Sequence, residues 1–225
     1  MHRPGKERKP AAMQKVALID YDSGNVHSAQ RALVEAARLA GKNADIQLTA
    51  DPEFIRKADR IVLPGVGHFA QCKGELEART GVIEAMEEAV HERGKPFLGI
   101  CVGMQLLADF SLEDGETSGL GWVHGMVQPI EPGANLPIPH MGWNALEIRA
   151  QHPVLSDFGE DPHAYFVHSY ALSPEDESQI AALTEYGRPI VAAVARENVF
   201  GTQFHPEKSQ TVGLKLLSNF LAWKP

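Results

Sequence analysis

One short stretch, residues 95–105, most constrains the fold of this chain. An apolar run there ends in Gly-x-Cys-x-Gly, and a helical pattern follows at once. This is the cysteine form of the nucleophile elbow, a sharp strand-to-helix turn that exposes one side chain above a sheet. Glycines two residues before and after Cys101 suit the turn, because a Cβ atom there would collide with neighbouring backbone. A free thiol has a pKa of about 8.5, and a helix N-terminus favours its thiolate form.

Short apolar strands alternate with helical patterns through the first half of the chain. Apolar residues recur at helical spacing after the first strand, and the same alternation continues to Cys101. This βαβ rhythm predicts an α/β fold with a mostly parallel sheet and helices on both faces. Strands are expected at 16–20, 46–48 and 60–63 and in the apolar run that leads to Cys101, and helices at 26–40 and 81–93.

The second half of the chain changes character after Gly119. Glycine and proline separate short strand-like pieces, and a hairpin is expected from 189–195 and 199–204. These patterns predict a small antiparallel addition to the parallel sheet. Further strands are expected at 126–127, 145–148 and 165–170, a loop at 151–163, and a closing helix at 211–223.

Size and charge limit the classes of protein that the chain can form. The 225 residues favour one large domain, assigned to 13–225, after a basic and flexible extension at 1–12. A formal charge of −8 argues against nucleic acid as the main partner, although a basic nucleic-acid-binding arm at 1–12 is the alternative. No apolar run reaches about 18 residues, so no membrane span is expected. The two cysteines form no metal motif or disulfide framework, which suits the cytoplasm.

A second motif, Phe204-His205-Pro206-Glu207, supplies the groups that a cysteine nucleophile needs. Pro206 favours an extended His205, and side chains two residues apart on an extended chain face the same side. Glu207 is therefore expected to orient the imidazole of His205, which takes the thiol proton of Cys101 and later passes one to a leaving amine. Cys101, His205 and Glu207 are predicted to form a catalytic triad for attack on an acyl carbon.

A glycine-rich strand end, Pro64-Gly65-Val66-Gly67, is expected to complete the site. Acyl transfer needs N–H donors for the oxyanion, and glycines let the backbone approach a ligand or change its orientation. The expected donors are the amides of Val66, Gly67 and Val102. A Val66 peptide that presents its carbonyl to the substrate would keep the enzyme slow until the peptide turns. Cys72, the other cysteine, is expected to lie in the core.

Taken together, Gly99–Gln105 and Phe204–Glu207 resemble the motifs of the class I (triad) glutamine amidotransferases. That resemblance implies a flavodoxin-like fold and hydrolysis of the glutamine side-chain amide through a γ-glutamyl thioester. Residues 21–25, 139–144 and 165–170 narrow it to the glutaminase subunits of imidazole glycerol phosphate synthase, in histidine biosynthesis. The resemblance runs from Val16 to the C-terminus, and Pro-His-Met-Gly-Trp-Asn at 139–144 is its most specific part.

The resemblance implies further site residues and a partner. Glutamine is expected to lie against Gly65, Gly67, Gln105, Ser169 and Tyr170. The positions implied at or near the partner interface are Asn25, Met141, Trp143, Tyr165 and Lys208, with a core position for Trp143 and a merely solvated Lys208 as the alternatives.

The implied partner is a (β/α)8-barrel cyclase subunit, which forms a heterodimer with the glutaminase. Ammonia would pass through the barrel and react with a phosphoribulosyl-formimino aminoimidazole carboxamide nucleotide. The products would be imidazole glycerol phosphate and the aminoimidazole carboxamide ribonucleotide of purine synthesis. No cofactor or metal is expected, and the isolated chain is expected to be a poor glutaminase that the cyclase and its nucleotide activate.

Three other functions are compatible with parts of the sequence. The chain could serve another acceptor, such as anthranilate or pyridoxal phosphate synthesis, but residues 139–144 argue against this. A stand-alone γ-glutamyl hydrolase, or another cysteine hydrolase, would be fully active without a partner. A non-catalytic regulatory module would not need the complete set of Cys101, His205 and Glu207.

Overall fold

The computed structural model of this protein describes residues 13–22, 24, 26–133 and 136–225. The predicted extension at 1–12 and the predicted interface residue Asn25 lie outside the described residues. The strands are β1 (Gln14–Ile19), β2 (Ala44–Thr49), β3 (Arg60–Gly65), β4 (Phe97–Cys101), β5 (Phe110–Ser111), β6 (Thr117–Ser118), β7 (Gly125–Pro129), β8 (His140–Ala145), β9 (Glu147–Ile148), β10 (His163–His168), β11 (Tyr170–Pro174), β12 (Ile180–Glu185), β13 (Pro189–Arg196) and β14 (Val199–Thr202). The α-helices are α1 (Val26–Leu39), α2 (Pro52–Lys57), α3 (Phe69–Glu77), α4 (Val82–Glu87), α5 (Val102–Gln105) and α6 (Gln210–Ala222).

An eight-stranded sheet forms the centre of the fold, in the order β2-β1-β3-β4-β14-β13-β12-β9. The first five strands of that order are parallel, and the last three continue the sheet in antiparallel fashion. Strand β8 pairs with β10 in a separate two-stranded sheet, and β11-β7-β5-β6 form a third sheet. The predicted α/β class and the predicted antiparallel addition are confirmed.

The central strands carry the core because helices cover the sheet. Every residue of β3 and β4 is buried, which explains why both strands are apolar apart from Arg60 at the start of β3. Helices α1 and α6 pack against each other, and the Ser218 hydroxyl donates to the Ala36 carbonyl at 3.0 Å. Helix α2 packs against α4. The carboxyl ends of β3, β4 and β14 lie side by side, where α/β sheets hold their ligands.

Several elements differ from the sequence expectations. Helices α2 and α3 were not predicted, and the expected strand 165–170 is divided at Ser169 between β10 and β11. The expected helix 81–93 is α4 followed by a π-helical turn at Glu88–Glu92. The loop at 151–163 contains a 3₁₀ turn at Pro153–Leu155. Among the described residues, no helix is long and apolar enough to cross a membrane.

Candidate active site

Cys101 ends the central strand on a sharp turn. Its backbone has φ 55° and ψ −113°, an unusual conformation for a residue with a side chain. The two flanking glycines make the turn possible. A Cβ atom on Gly103 would lie 1.9 Å from the carbonyl oxygen of Leu63, and one on Gly99 would lie 2.6 Å from the carbonyl oxygen of Gly103. The predicted elbow is therefore present, with the side chain of Cys101 almost fully buried.

The helix after the elbow is a single turn. Helix α5 contains only Val102–Gln105, and tight turns follow from Leu106. A helix does begin directly after Cys101 as expected, but one turn aligns few peptide dipoles, so its contribution to the thiolate is small. The stabilisation of a thiolate must come mainly from neighbouring charges and hydrogen bonds.

His205 and Glu207 meet in the turn that follows β14. The Nδ1 atom of His205 lies 2.8 Å from Oε1 of Glu207, and both side chains are more than nine-tenths buried. His205 has the extended backbone that Pro206 favours, but Glu207 lies in a 3₁₀ turn at Pro206–Lys208 rather than on an extended chain. The predicted convergence is thus present, although the local backbone differs from the one used to predict it. The Ser209 hydroxyl fixes the turn by donating to the His205 carbonyl at 2.6 Å.

Two acidic groups determine the charge of His205. Burial lowers its pKa, but the nearby negative charge of Cys101 and then the hydrogen bond and charge of Glu207 outweigh this effect and raise the pKa to about 10. The Nε2 atom of His205 is buried and has no hydrogen-bond partner among the described residues. The imidazole is therefore oriented by Glu207 at one nitrogen and open to proton exchange at the other.

A cavity of about 520 Å³ gives access to these groups. It lies over the carboxyl ends of β3, β4 and β14. Of the predicted site residues it brings together Val66, Gly67, Cys101, Val102, Gln105, Ser169, Tyr170, His205 and Lys208. Gly65 is buried beside Cys101 in the sheet and does not line the cavity.

Two residues that line or support this cavity were not identified from the sequence. Gln203 is fully buried, and its Nε2 atom lies 3.7 Å from the sulfur of Cys101. Its place two residues before His205 was the available signal. Glu113 lines the cavity from the loop after β5, and its Oε2 accepts a hydrogen bond from the Phe69 amide at 2.7 Å. No motif surrounds Glu113, so nothing local marked it.

The glycine-rich strand end is held from outside the cavity. The thiol of Cys72 donates to the Val66 carbonyl, with the sulfur 3.3 Å from the oxygen, and the Tyr21 hydroxyl donates to the Pro64 carbonyl at 2.6 Å. Gly67 has φ 93°, a left-handed conformation that favours glycine. Cys72 is buried, and this burial raises its pKa to about 11. The expectation that Cys72 is a core residue is confirmed.

Apart from Asn25, which lies outside the described residues, the predicted interface residues form one largely exposed patch next to the cavity. Trp143 on β8 and Tyr165 on β10 face each other across the strand pair, with ring centroids 6.1 Å apart. Lys208, which also lines the cavity, places its Nζ 5.6 Å from the Tyr165 ring centroid. Trp143 is 48% exposed and Met141 is 62% exposed, so the alternative of a core position for Trp143 is wrong.

Comparison with known proteins places the chain in a family. Residues 17–223 match the family described as Glutamine amidotransferase class-I. A solved structure described as a glutamine amidotransferase has a TM-score of 0.67 at 20% identity, covering 92% of this chain and 97% of its own. A putative GMP synthase protein from Thermoplasma acidophilum has a TM-score of 0.64 at 19% identity, covering 93% of both chains. Fold and site thus define a class I glutamine amidotransferase, and this chain belongs to that family.

Curated relatives narrow the family further. A protein of Caulobacter vibrioides is 55% identical over 95% of this chain and 100% of its own length. One of Rhodospirillum rubrum is 53% identical, and one of Mesorhizobium japonicum is 52% identical, each over 94% of this chain and 100% of its own. All three are named imidazole glycerol phosphate synthase subunit HisH. Within the class I amidotransferases, this chain is therefore a member of the HisH family.

Proposed function

We propose that this protein hydrolyses L-glutamine to glutamate and ammonia through a thioester on Cys101. The observation that carries the proposal is the meeting of Cys101, on its strained turn, with the buried pair of His205 and Glu207 over one cavity. A nucleophile, a base and a group that orients the base are the parts that such a reaction requires. The membership of the chain in the HisH family supports the same reaction.

The reaction follows from the positions of these groups. The Cys101 thiolate forms a bond with the side-chain carbonyl carbon of glutamine, and the carbonyl electrons move to its oxygen. When the tetrahedral intermediate collapses, the carbon–nitrogen bond breaks, and His205 Nε2 gives its proton to the departing ammonia. Water then attacks the thioester carbon while His205 takes one of its protons. The carbon–sulfur bond breaks, which restores the thiolate and the imidazolium, and the released γ-carboxyl group loses its remaining proton to water. Glu207 holds His205 in the tautomer that these transfers require.

Backbone amides and one carboxylate are proposed to hold the substrate. Val66, Gly67 and Val102 line the cavity, and we assign their amides to the oxyanion, with the Val66 amide available only after its peptide turns. Gln105, Ser169 and Tyr170 also line the cavity and are assigned to glutamine. Gly65 is assigned a supporting role beside Cys101. Glu113 offers a negative charge for the α-ammonium group of glutamine.

We infer that the ammonia is used by a cyclase subunit of (β/α)8-barrel fold, bound as a heterodimer in the cytoplasm. The exposed patch of Met141, Trp143, Tyr165 and Lys208 borders the cavity, so a partner bound there would cover the exit of the ammonia. Asn25 is assigned to the same interface by sequence alone. The acceptor is the phosphoribulosyl-formimino nucleotide of histidine biosynthesis, as the family implies. The two cysteines are free and buried, as suits a reducing compartment.

Glutamate release by the chain alone, with the cyclase, and with the cyclase plus nucleotide tests the proposal. Wild type should be slow alone and should accelerate at each step, since losing one oxyanion donor lowers the rate by about 10²–10³. Cys101→Ala should release no glutamate in any mixture, while still binding the cyclase, which serves as its folding control. Glutamate release by Cys101→Ala would contradict the mechanism, and full activity of the lone chain would contradict the gating.

A further inference from the structure

A buried glutamine outside the triad connects the nucleophile to the wall of the substrate cavity. Gln203 lies between Cys101 and Gln105 and is fully buried. Its Oε1 accepts a hydrogen bond from Gln105 Nε2 at 3.0 Å, and its Nε2 donates toward the Cys101 sulfur over 3.7 Å. A buried amide in contact with a nucleophile and with a cavity-lining side chain can affect both chemistry and binding.

The contacts of Gln105 determine which end of its amide faces the ligand. Its Nε2 donates one proton to the Tyr170 carbonyl at 2.9 Å and the other to Gln203 Oε1 at 3.0 Å. Both amide protons are therefore used inside the protein. Gln105 Oε1 accepts no hydrogen bond within the described part of the chain, and Gln105 lines the cavity. The atom left for a ligand is an acceptor, which suits a ligand that donates an N–H.

The orientation of Gln203 follows from the same network. Because Oε1 is the acceptor for Gln105, the amide nitrogen is the end that lies against Cys101. An N–H donor stabilises a thiolate, which carries more negative charge than a thiol, and also stabilises the sulfur as it departs as a thiolate when the thioester is hydrolysed. The main chain of Gln203 is anchored separately, since its amide donates to the Ala192 carbonyl at 2.9 Å.

We propose that Gln203 is a positioning residue that donates a hydrogen bond to the Cys101 thiolate and locks Gln105 with its carbonyl oxygen toward the substrate. The first effect supports the chemical step, and the second makes the site select a hydrogen-bond donor of glutamine. This inference rests on the proposed role of Cys101 as nucleophile.

Two substitutions separate the effects. Gln203→Glu keeps an oxygen to accept from Gln105 but places a carboxylate against the sulfur. The pKa of a carboxylic acid is about four units lower than that of a thiol. A proton shared by the two groups therefore stays on the sulfur, and the thiolate is lost. Gln203→Met keeps the shape of the side chain but removes both hydrogen bonds, so the Gln105 amide is free to turn its nitrogen toward the cavity.

Alkylation of the full chain by iodoacetamide measures the thiolate without substrate or partner, with the Cys101 peptide quantified by mass spectrometry. Gln203→Glu should lower the Cys101 alkylation rate at neutral pH by about tenfold or more, and the loss should shrink as the pH is raised. In the complex with the cyclase, Gln203→Glu should lower kcat by at least about tenfold and change KM for glutamine by less than about threefold. Gln203→Met should raise KM by about tenfold, in addition to its loss in kcat.

Controls separate this inference from a folding defect and from the proposed function. Thr184→Val removes another buried hydrogen bond, the 2.8 Å bond from its hydroxyl to the Ala145 carbonyl, and should leave alkylation and KM unchanged. If Gln203→Met does not fold, Gln203→Asn withdraws the same two groups by one methylene and should show the same rise in KM. Wild-type alkylation in Gln203→Glu, or an unchanged KM in the folded Met or Asn variant, would overturn the inference. Glutaminase activity in Cys101→Ala would instead overturn the proposed function.

Discussion

Acid should destabilise this protein through a pair of buried histidines. His140 and His168 are 2% and 6% exposed, and Nδ1 of His140 lies 3.0 Å from Nε2 of His168. His168 Nδ1 donates to the Tyr170 carbonyl at 2.9 Å, so its Nε2 is the unprotonated acceptor for His140. Asn144 donates to the remaining nitrogen of His140 at 3.2 Å. This pattern leaves both imidazoles neutral, with no lone pair available for a further proton.

The size of the effect follows from their pKa values. Burial lowers the pKa of each of the two histidines from 6.5 to about 4. Between these values the unfolded chain binds more protons than the folded protein, so the free energy of unfolding falls as the pH falls. The lowered pKa values correspond to a loss in the free energy of unfolding. This loss is about 3 kcal/mol for each histidine at the acidic limit and about 5 kcal/mol for the pair near pH 4.5. That is a large part of a typical stability of about 5–15 kcal/mol.

Urea unfolding between about pH 7 and pH 4.5 measures this loss, and a His140→Asn, His168→Gln double variant isolates it. The variant should be less stable at neutral pH, but its stability should depend less steeply on pH. His152, whose pKa burial also lowers to about 4, contributes to both proteins and cancels in the comparison. Equal pH slopes in wild type and double variant would refute the reasoning, as would a wild type that keeps its full stability down to about pH 4.5.

Three further predictions concern single residues. Glu207→Gln should lower kcat by about 10²–10⁴-fold in steady-state assays, because the carboxylate that accepts from His205 Nδ1 at 2.8 Å is lost. Partner binding should change little. A loss in kcat below about tenfold would argue against the orienting role of Glu207. Gly103→Ala should lower the free energy of unfolding by about 3 kcal/mol or more, because the new Cβ would lie 1.9 Å from the Leu63 carbonyl oxygen. An unchanged thermal unfolding midpoint would contradict this prediction. Trp143→Ala should weaken cyclase binding, measured by calorimetry, by about 1–3 kcal/mol. Thermal stability should not change, because the side chain is 48% exposed. An unaltered affinity would show that Trp143 is not part of the interface.

Local motifs predicted the parts of the site that neighbouring residues determine. The strained turn at Cys101 depends on Gly99 and Gly103, which lie within two residues of it, and the pairing of His205 with Glu207 depends on the turn that carries both. These features could therefore be read from short stretches of sequence. Their meeting at one cavity follows from the observed order β3-β4-β14, which short stretches of sequence do not determine.

Contacts between distant parts of the chain could not be predicted in this way. Gln203 meets Cys101 and Gln105 across about a hundred residues, and only the packing of β14 beside β4 brings them together. Helix α2 was overlooked although Asp51 caps it, accepting from the Glu53 amide at 3.0 Å, and Pro52 opens it. Its six residues are too few to show a clear helical period.

The central claim is that Cys101 carries the γ-glutamyl group during turnover. Mass spectrometry of the complex, quenched in acid while it hydrolyses glutamine, tests this claim most directly. We expect a γ-glutamyl adduct on the peptide that contains Cys101, and we expect no such adduct in the Cys101→Ala variant. An adduct on another residue, or glutamate release by Cys101→Ala without any adduct, would contradict it.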